Sequence, residues 1–361
     1  MAKRKALFMI CLLSVAFGLT ALVAVLAERE EKKEKTGELL CVTSFYPVQL
    51  LAESVAEGAE GVTVRNLTES HSGCIHDYTL TTQDMRLLSE AELFLINGGE
   101  MELFLEKAAT EYKDLEIVDT SEGYAFFEGV EHSHDHEAEF SGDDENHDYH
   151  EHEEAETCTN PTHDHGHEEH AVAEEDHAGH SHAINAHIWM DIDGYLLQLS
   201  RVEEAFVAAD PAQEALYRKN AEVCREELTK LKEEYAEAKE LLSGKETVVF
   251  HEGFVYLFHM LGVETVHCLA MDSDTQIAAG EAAEIIEECR LHGITVLFAE
   301  NEYRETVLDT FGRELRCEVV ALDPVTSNTT EGTSRSQRGI SLYCDSMRKN
   351  LECIMQAYGL R

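Results

Sequence analysis

Basic residues are scarce in this chain of 361 residues: 28 Lys and Arg stand against 72 Asp and Glu, a formal net charge of −44. Phosphate binding depends on Lys and Arg releasing counterions, so the deficit excludes nucleic acid as a partner. It equally disfavours anionic membranes and anionic substrates, while an acidic surface concentrates cations. A metal ion is therefore a better-matched small partner than a nucleotide. A second absence concerns His251-Glu252, which begins like a zinc-protease helix. The residue four on from His251 is Val255, so the second histidine of that motif is missing. A metallohydrolase with Glu252 as its base remains the minor enzymatic alternative.

A lipid-attachment site is also lacking. Cys11 comes too early, with apolar chain continuing after it, and Cys41 follows charged residues and opens a strand pattern. What the N-terminus does have is a basic stretch, Lys3-Arg4-Lys5, followed by an unbroken, mostly apolar run from Ala6 to Ala27. That run is long for the apolar part of a signal peptide and long enough to cross a bilayer as a helix. Val25-Leu26-Ala27 offers small residues for cleavage, so a cleaved signal and a retained anchor are both open. Either fate predicts an extracytoplasmic protein, anchored at the cell surface or secreted. Ten cysteines permit disulfides there. Cys11 lies within the apolar run, and spacing alone dictates no pairing.

Strand and helix signals alternate from residue 39. Strand patterns at Leu39–Phe45, Val62–Val64 and Leu93–Ile96 are separated by helix starts near Pro47 and at Thr81, where Thr81 and Asp84 are spaced as a capping box. The alternation predicts an α/β fold with a parallel sheet. Between about 121 and 183 the pattern fails. Residues 131–182 hold 18 Asp and Glu, 13 His and no Lys or Arg, too little apolar surface to offset chain entropy, which predicts a disordered loop. After Asp210-Pro211, a helix start, the residues Tyr217, Ala221, Cys224, Leu228, Leu231, Tyr235, Ala238 and Leu242 repeat every three or four positions. They form one apolar stripe on a single helix of roughly 45 Å, with coiled-coil pairing as the competing use. A second α/β unit follows, with strands predicted at Thr247–Phe250, Val263–His267, Thr295–Ala299 and Glu318–Leu322 and a last helix near Ser341–Tyr358. The predicted organisation is a signal or anchor segment and tether at 1–38, an N-terminal lobe at 39–209 containing the loop, a linking helix at 210–243, and a C-terminal lobe at 244–361.

Potential metal ligands follow three of these strands: His251, Glu300 and Asp323. In open parallel sheets, ligands bind outside the carboxyl ends of the strands. His76 precedes the first-lobe helix, and His187 follows the loop directly; either alone is more often structural than a ligand.

The segments around these residues resemble a known family. They are Thr43-Ser44-Phe45-Tyr46-Pro47, His76-Asp77-Tyr78-Thr79-Leu80, Asn97-Gly98-Gly99-Glu100-Met101-Glu102, His187-Ile188-Trp189-Met190-Asp191, His251-Glu252-Gly253-Phe254, Phe298-Ala299-Glu300-Asn301 and Leu322-Asp323-Pro324. In that order they resemble the zinc branch of the metal-binding proteins of zinc and manganese ABC importers. The resemblance implies two parallel-sheet lobes joined by one long backbone helix, with a metal cleft between them. It implies His76, His187 and His251 as ligands of Zn²⁺, Asp323 as the carboxylate completing the site, and Glu300 as a supporting or alternative ligand. It also implies delivery to a permease and ATPase complex. Manganese members carry a carboxylate where this chain has His251, and imidazole-rich sites suit zinc. The loop clusters His132, His134, His136, then His163, His165, His167, then His180 and His182 mix imidazole with carboxylate, which suits weak auxiliary zinc binding. The ligands alone do not separate an import protein from an extracellular zinc buffer or adhesin without a transporter.

Overall fold

A computed structural model describes residues 38–68, 75–76, 78–104, 112, 115–129, 184–271, 277–327 and 339–360. The N-terminal apolar run, His71, Cys74 and all the loop histidines from His132 to His182 lie outside these residues. Among the described residues no helix is long and apolar enough to cross a membrane.

Short apolar runs make the strands, because buried parallel strands need apolar side chains on both faces. β1 (Leu39–Thr43) pairs with β2 (Val62–Asn66) on one side and β3 (Leu93–Ile96) on the other, and β4 (Glu116–Asp119) completes a parallel sheet of order β2-β1-β3-β4. Helix α1 (Tyr46–Val55) makes the crossover from β1 to β2, and α2 (Thr82–Glu90) leads into β3. The predicted capping box of α2 is present: the Thr81 hydroxyl accepts from the Asp84 N–H, and the Asp84 carboxylate accepts from the Thr81 N–H.

The second sheet repeats the first. β5 (Glu246–Val249), β6 (Glu264–Cys268), β7 (Val296–Glu300) and β8 (Glu318–Leu322) are parallel in the order β6-β5-β7-β8. The α/β architecture of two parallel-sheet lobes is thus the one the sequence leads to. Helix α3 (Ile192–Ala209) packs along α4 (Glu214–Leu242), the long helix between the sheets. All eight residues of the predicted stripe on α4 are buried within the chain, so the stripe is core and not a coiled-coil seam. After β5 come α5 (Gly253–Met260) and α6 (Ala279–His292), and α7 (Ile340–Ala357) ends the chain against α4. One apolar core runs through both lobes, from Leu93 and Leu95 past Leu228 and Tyr235 to Phe298 and Leu322.

Two expectations change. Residues 121–129, assigned to the loop, are built into the fold. Tyr124 donates to Asp191 (2.6 Å), and Phe127 stacks on Tyr256 with ring centroids 4.4 Å apart. Three aromatic residues supply the apolar surface that the rest of the segment lacks. Asp210-Pro211 opens a short 3₁₀ turn, Pro211–Gln213, before the α-helix proper begins. None of the seven described cysteines, Cys41, Cys224, Cys268, Cys289, Cys317, Cys344 and Cys353, is in a disulfide.

Candidate metal centre

In each sheet the first two strands of the sequence lie side by side and the third lies on the opposite edge of the first, so chain order reverses between β1 and β3 and again between β5 and β7. Such a reversal opens a crevice at the carboxyl ends of the flanking strands. In the second lobe that crevice carries His251, just beyond β5, and Glu300, the last residue of β7; His251 Nε2 lies 3.3 Å from Glu300 Oε1. Gly253 donates its N–H to His251 Nδ1 at 3.1 Å. A Cβ at position 253 would come within 2.9 Å of the His251 ring, so only glycine permits this approach. With Nδ1 accepting, the ring proton of neutral His251 sits on Nε2, facing Glu300.

Burial governs the electrostatics of this pair. It holds His251 down to about 3, with nearby His76 adding to the effect, and raises Glu300 to about 8, with Glu302 and Asp323 contributing. Both groups are therefore driven towards their neutral forms, and the contact is one between neutral groups instead of an ion pair.

The first lobe brings its histidines to the same place from connecting segments. His76 sits in a turn closed by a bond from the Tyr78 N–H to the Ile75 carbonyl (3.1 Å). Ile75 is buried, and the Tyr78 hydroxyl donates to Asp84 in the capping box (2.8 Å), so the turn is fastened to α2. His187 precedes a single helical turn, Ile188–Met190, whose Trp189 is fully buried and donates its indole N–H to the Pro324 carbonyl (2.8 Å). Asn97, at the end of β3, donates to the Ala186 carbonyl (2.9 Å) and fixes the approach to His187.

The rings converge. His187 lies 5.3 Å from His76 and 4.8 Å from His251, centroid to centroid. One further residue enters that sequence reasoning considered only as a hydrolytic base: Glu252. His76, His187 and Glu252 each present a ligand atom, and these atoms lie within 4.8 Å of one another. Glu252 is buried, with Oε2 3.9 Å from His187 Nδ1. Asp323 is not brought into that group. Its Oδ1 accepts from the Val325 N–H (2.8 Å) in a turn where Val325 has φ +59°, and its backbone is bonded to the Asn350 side chain in both directions. It is close enough to Glu300 to help raise that carboxyl.

Clustered imidazoles with carboxylates alongside form a donor set suited to zinc. Bonds of about 2.0–2.1 Å in tetrahedral geometry place ligand atoms about 3.3 Å apart. The group would therefore contract by at most about 1.5 Å around an ion.

The fold and this donor set define a two-lobed metal-binding protein. Residues 41–357 match the family model described as zinc-uptake complex component A, periplasmic (ZnuA), and the chain belongs to that family. It is 25% identical over 358 residues to the zinc-binding protein AdcA of Streptococcus pyogenes serotype M3, covering 98% of this chain and 61% of AdcA. The chain thus spans about three-fifths of that relative's length. It is 25% identical over 323 residues to the high-affinity zinc uptake system protein ZnuA of Bacillus subtilis, covering 89% of this chain and 88% of ZnuA. Among solved structures, Zn(II)-bound AdcA from Streptococcus pneumoniae superposes with a TM-score of 0.64 at 20% identity, covering 89% of this chain and 58% of that one. The metal-dependent lipoprotein YcdH from Bacillus subtilis gives 0.64 at 20%, covering 88% and 98%. These structures share the fold.

Proposed function

We propose that this protein captures Zn²⁺ outside the cytoplasm and delivers it to an ABC importer, with the ion as cargo and no chemical step of its own. The observation that carries the reading is the convergence of His76, His187 and His251 with Glu252 and Glu300 where the two lobes meet. The family is named for a component of a zinc-uptake complex, and the AdcA and ZnuA relatives are named for zinc binding and zinc uptake, which supports zinc as the cargo. His76, His187 and His251 supply neutral imidazole. Glu252 supplies the charge that offsets the ion more directly than Asp323 does, and Glu300 stands beside His251 Nε2 as a further oxygen donor. Residues 39–209 and 244–361 act as the two lobes and 210–243 as their linking helix. An export segment at 1–38 and a permease with its ATPase complete the proposal.

The test is zinc calorimetry on the full chain, with and without residues 131–182. One tight event should survive the deletion while weaker events disappear. Loss of the tight event on deletion would move the capture site to the loop. Zymography of the zinc-loaded protein should show no hydrolysis; turnover would favour the metallohydrolase.

A further inference from the structure

Asn185 lies two residues before His187 and is buried. Its amide orientation is dictated by groups that have only one role. Nδ2 faces the Glu252 carbonyl at 2.9 Å, which can only accept. Oδ1 faces the His187 backbone N–H at 3.1 Å, which can only donate. The oxygen end therefore also faces the His187 ring, where Nδ1 is 2.9 Å away. An amide oxygen cannot donate, so this contact requires the proton on Nδ1 and leaves the lone pair on Nε2. Glu252 Oε2, 3.9 Å from the same nitrogen, favours the same protonation. The Asn185 backbone is equally committed. Its N–H donates to the Phe127 carbonyl (2.9 Å), and its carbonyl accepts from the Tyr256 hydroxyl (2.7 Å). One side chain thus sets the state of a first-lobe histidine while tied to the backbone of the second lobe.

We infer that Asn185 is a positioning residue for zinc capture: it holds His187 as the Nδ1–H tautomer, so that Nε2 is the ligating atom. The inference rests on His187 being a zinc ligand. Partners that orient a ligating histidine typically contribute 10–100-fold in metal affinity.

Two measurements test it. In the metal-free wild-type chain, long-range ¹H–¹⁵N spectra of the histidine rings should show His187 protonated at Nδ1; an Nε2–H ring, or averaging between tautomers, overturns the inference. Zinc affinity, read by competition with a chromophoric chelator, should fall about 10–100-fold in N185A. N185D should restore most of that loss, since a carboxylate oxygen still accepts from Nδ1–H. Both variants lose the donor to Glu252, so a role confined to tying the lobes would weaken them equally, and that result overturns the inference. Wild-type affinity in N185A also overturns it, provided H187A is defective. Wild-type affinity in H187A would instead remove the zinc-site reading itself. The wild-type spectra decide the matter if N185A does not fold.

Discussion

The two lobes repeat one sheet but present their histidines differently. In the second lobe the strands flanking the order reversal supply His251 and Glu300 themselves. In the first lobe the equivalent positions by strand register hold Phe45, preceded by Ser44, and Asn97. Ser44 accepts from the Asn97 N–H (3.3 Å), and buried Glu102, raised to about 7 chiefly by burial, accepts from the backbone of Asn97 and Gly98. Asn97 then reaches out to the Ala186 carbonyl. The same crevice is a source of ligands in one sheet and a bracket for a neighbouring segment in the other. Placement of His251 therefore depends on sheet geometry, whereas placement of His76 and His187 depends on individual side-chain tethers.

The largest expected effect tests whether the lobes contribute as equals. Replacing His76, His187 or His251 with Ala should each lower zinc affinity more than about 100-fold, beyond the range of a merely orienting partner. A single replacement binding within tenfold of wild type, by chelator competition, would show that one lobe dominates. Next comes the element both lobes share. Leu228→Ala on α4 should cost about 2–5 kcal/mol. Trp189 fluorescence and circular dichroism should still report one coincident denaturant transition, because the core is continuous. Two separated transitions would make the lobes independent folding units. A smaller effect distinguishes the carboxylates: Glu252→Gln should weaken zinc about tenfold, or about 1.4 kcal/mol, and Asp323→Asn less. The reverse order would return Asp323 to the centre of the site.

The smallest effect is a change in the shape of a pH profile. Glu300, raised from 4.5 to about 8, gives stability that is present below 4.5 and lost as pH rises through about 8. His251, lowered from 6.5 to about 3, gives stability that is present above 6.5 and lost as pH falls through about 3. Together they make the metal-free protein most stable between about 4.5 and 6.5. Thermal melts of Glu300→Gln should lose the decline between 6.5 and 8 and keep the acid limb. An unchanged alkaline limb would mean that Glu300 is already ionised in the folded protein.

The fold was readable wherever a periodic signal met a single environment. The α4 stripe matches its buried residues one for one, and β8 falls at its predicted bounds, because apolar spacing reports burial directly. β4 carries only two adjacent apolar residues at a sheet edge, too few to signal a strand. α3 was announced by Asp191 before the spacing Ile192, Tyr195, Leu199, Val202 and Phe206, a signal that the neighbouring His187 motif overshadowed. Within the site, His251 and Glu300 were legible as strand ends. Glu252 was not, since neighbouring residues on a strand point to opposite faces. At φ −58° and ψ −36° Glu252 has already turned helical, which brings its side chain round towards the histidines. Asp323 was legible as a strand-end carboxylate too, and such a group also suits a cap: its Oδ1 closes the turn at Val325.

The unpaired cysteines have a consequence for handling the protein. Burial raises the thiols of Cys224, to about 11, and of Cys289 and Cys344, each to about 12, and raises Cys41 and Cys317 as well. At neutral pH these sulfurs stay protonated, so they neither compete with imidazole for a soft ion nor react with alkylating agents. Once the chain opens they return to ordinary reactivity. The protein thus carries its own built-in clock: the rate at which a thiol-reactive dye labels these five positions, with and without zinc, measures how often the shared core comes apart.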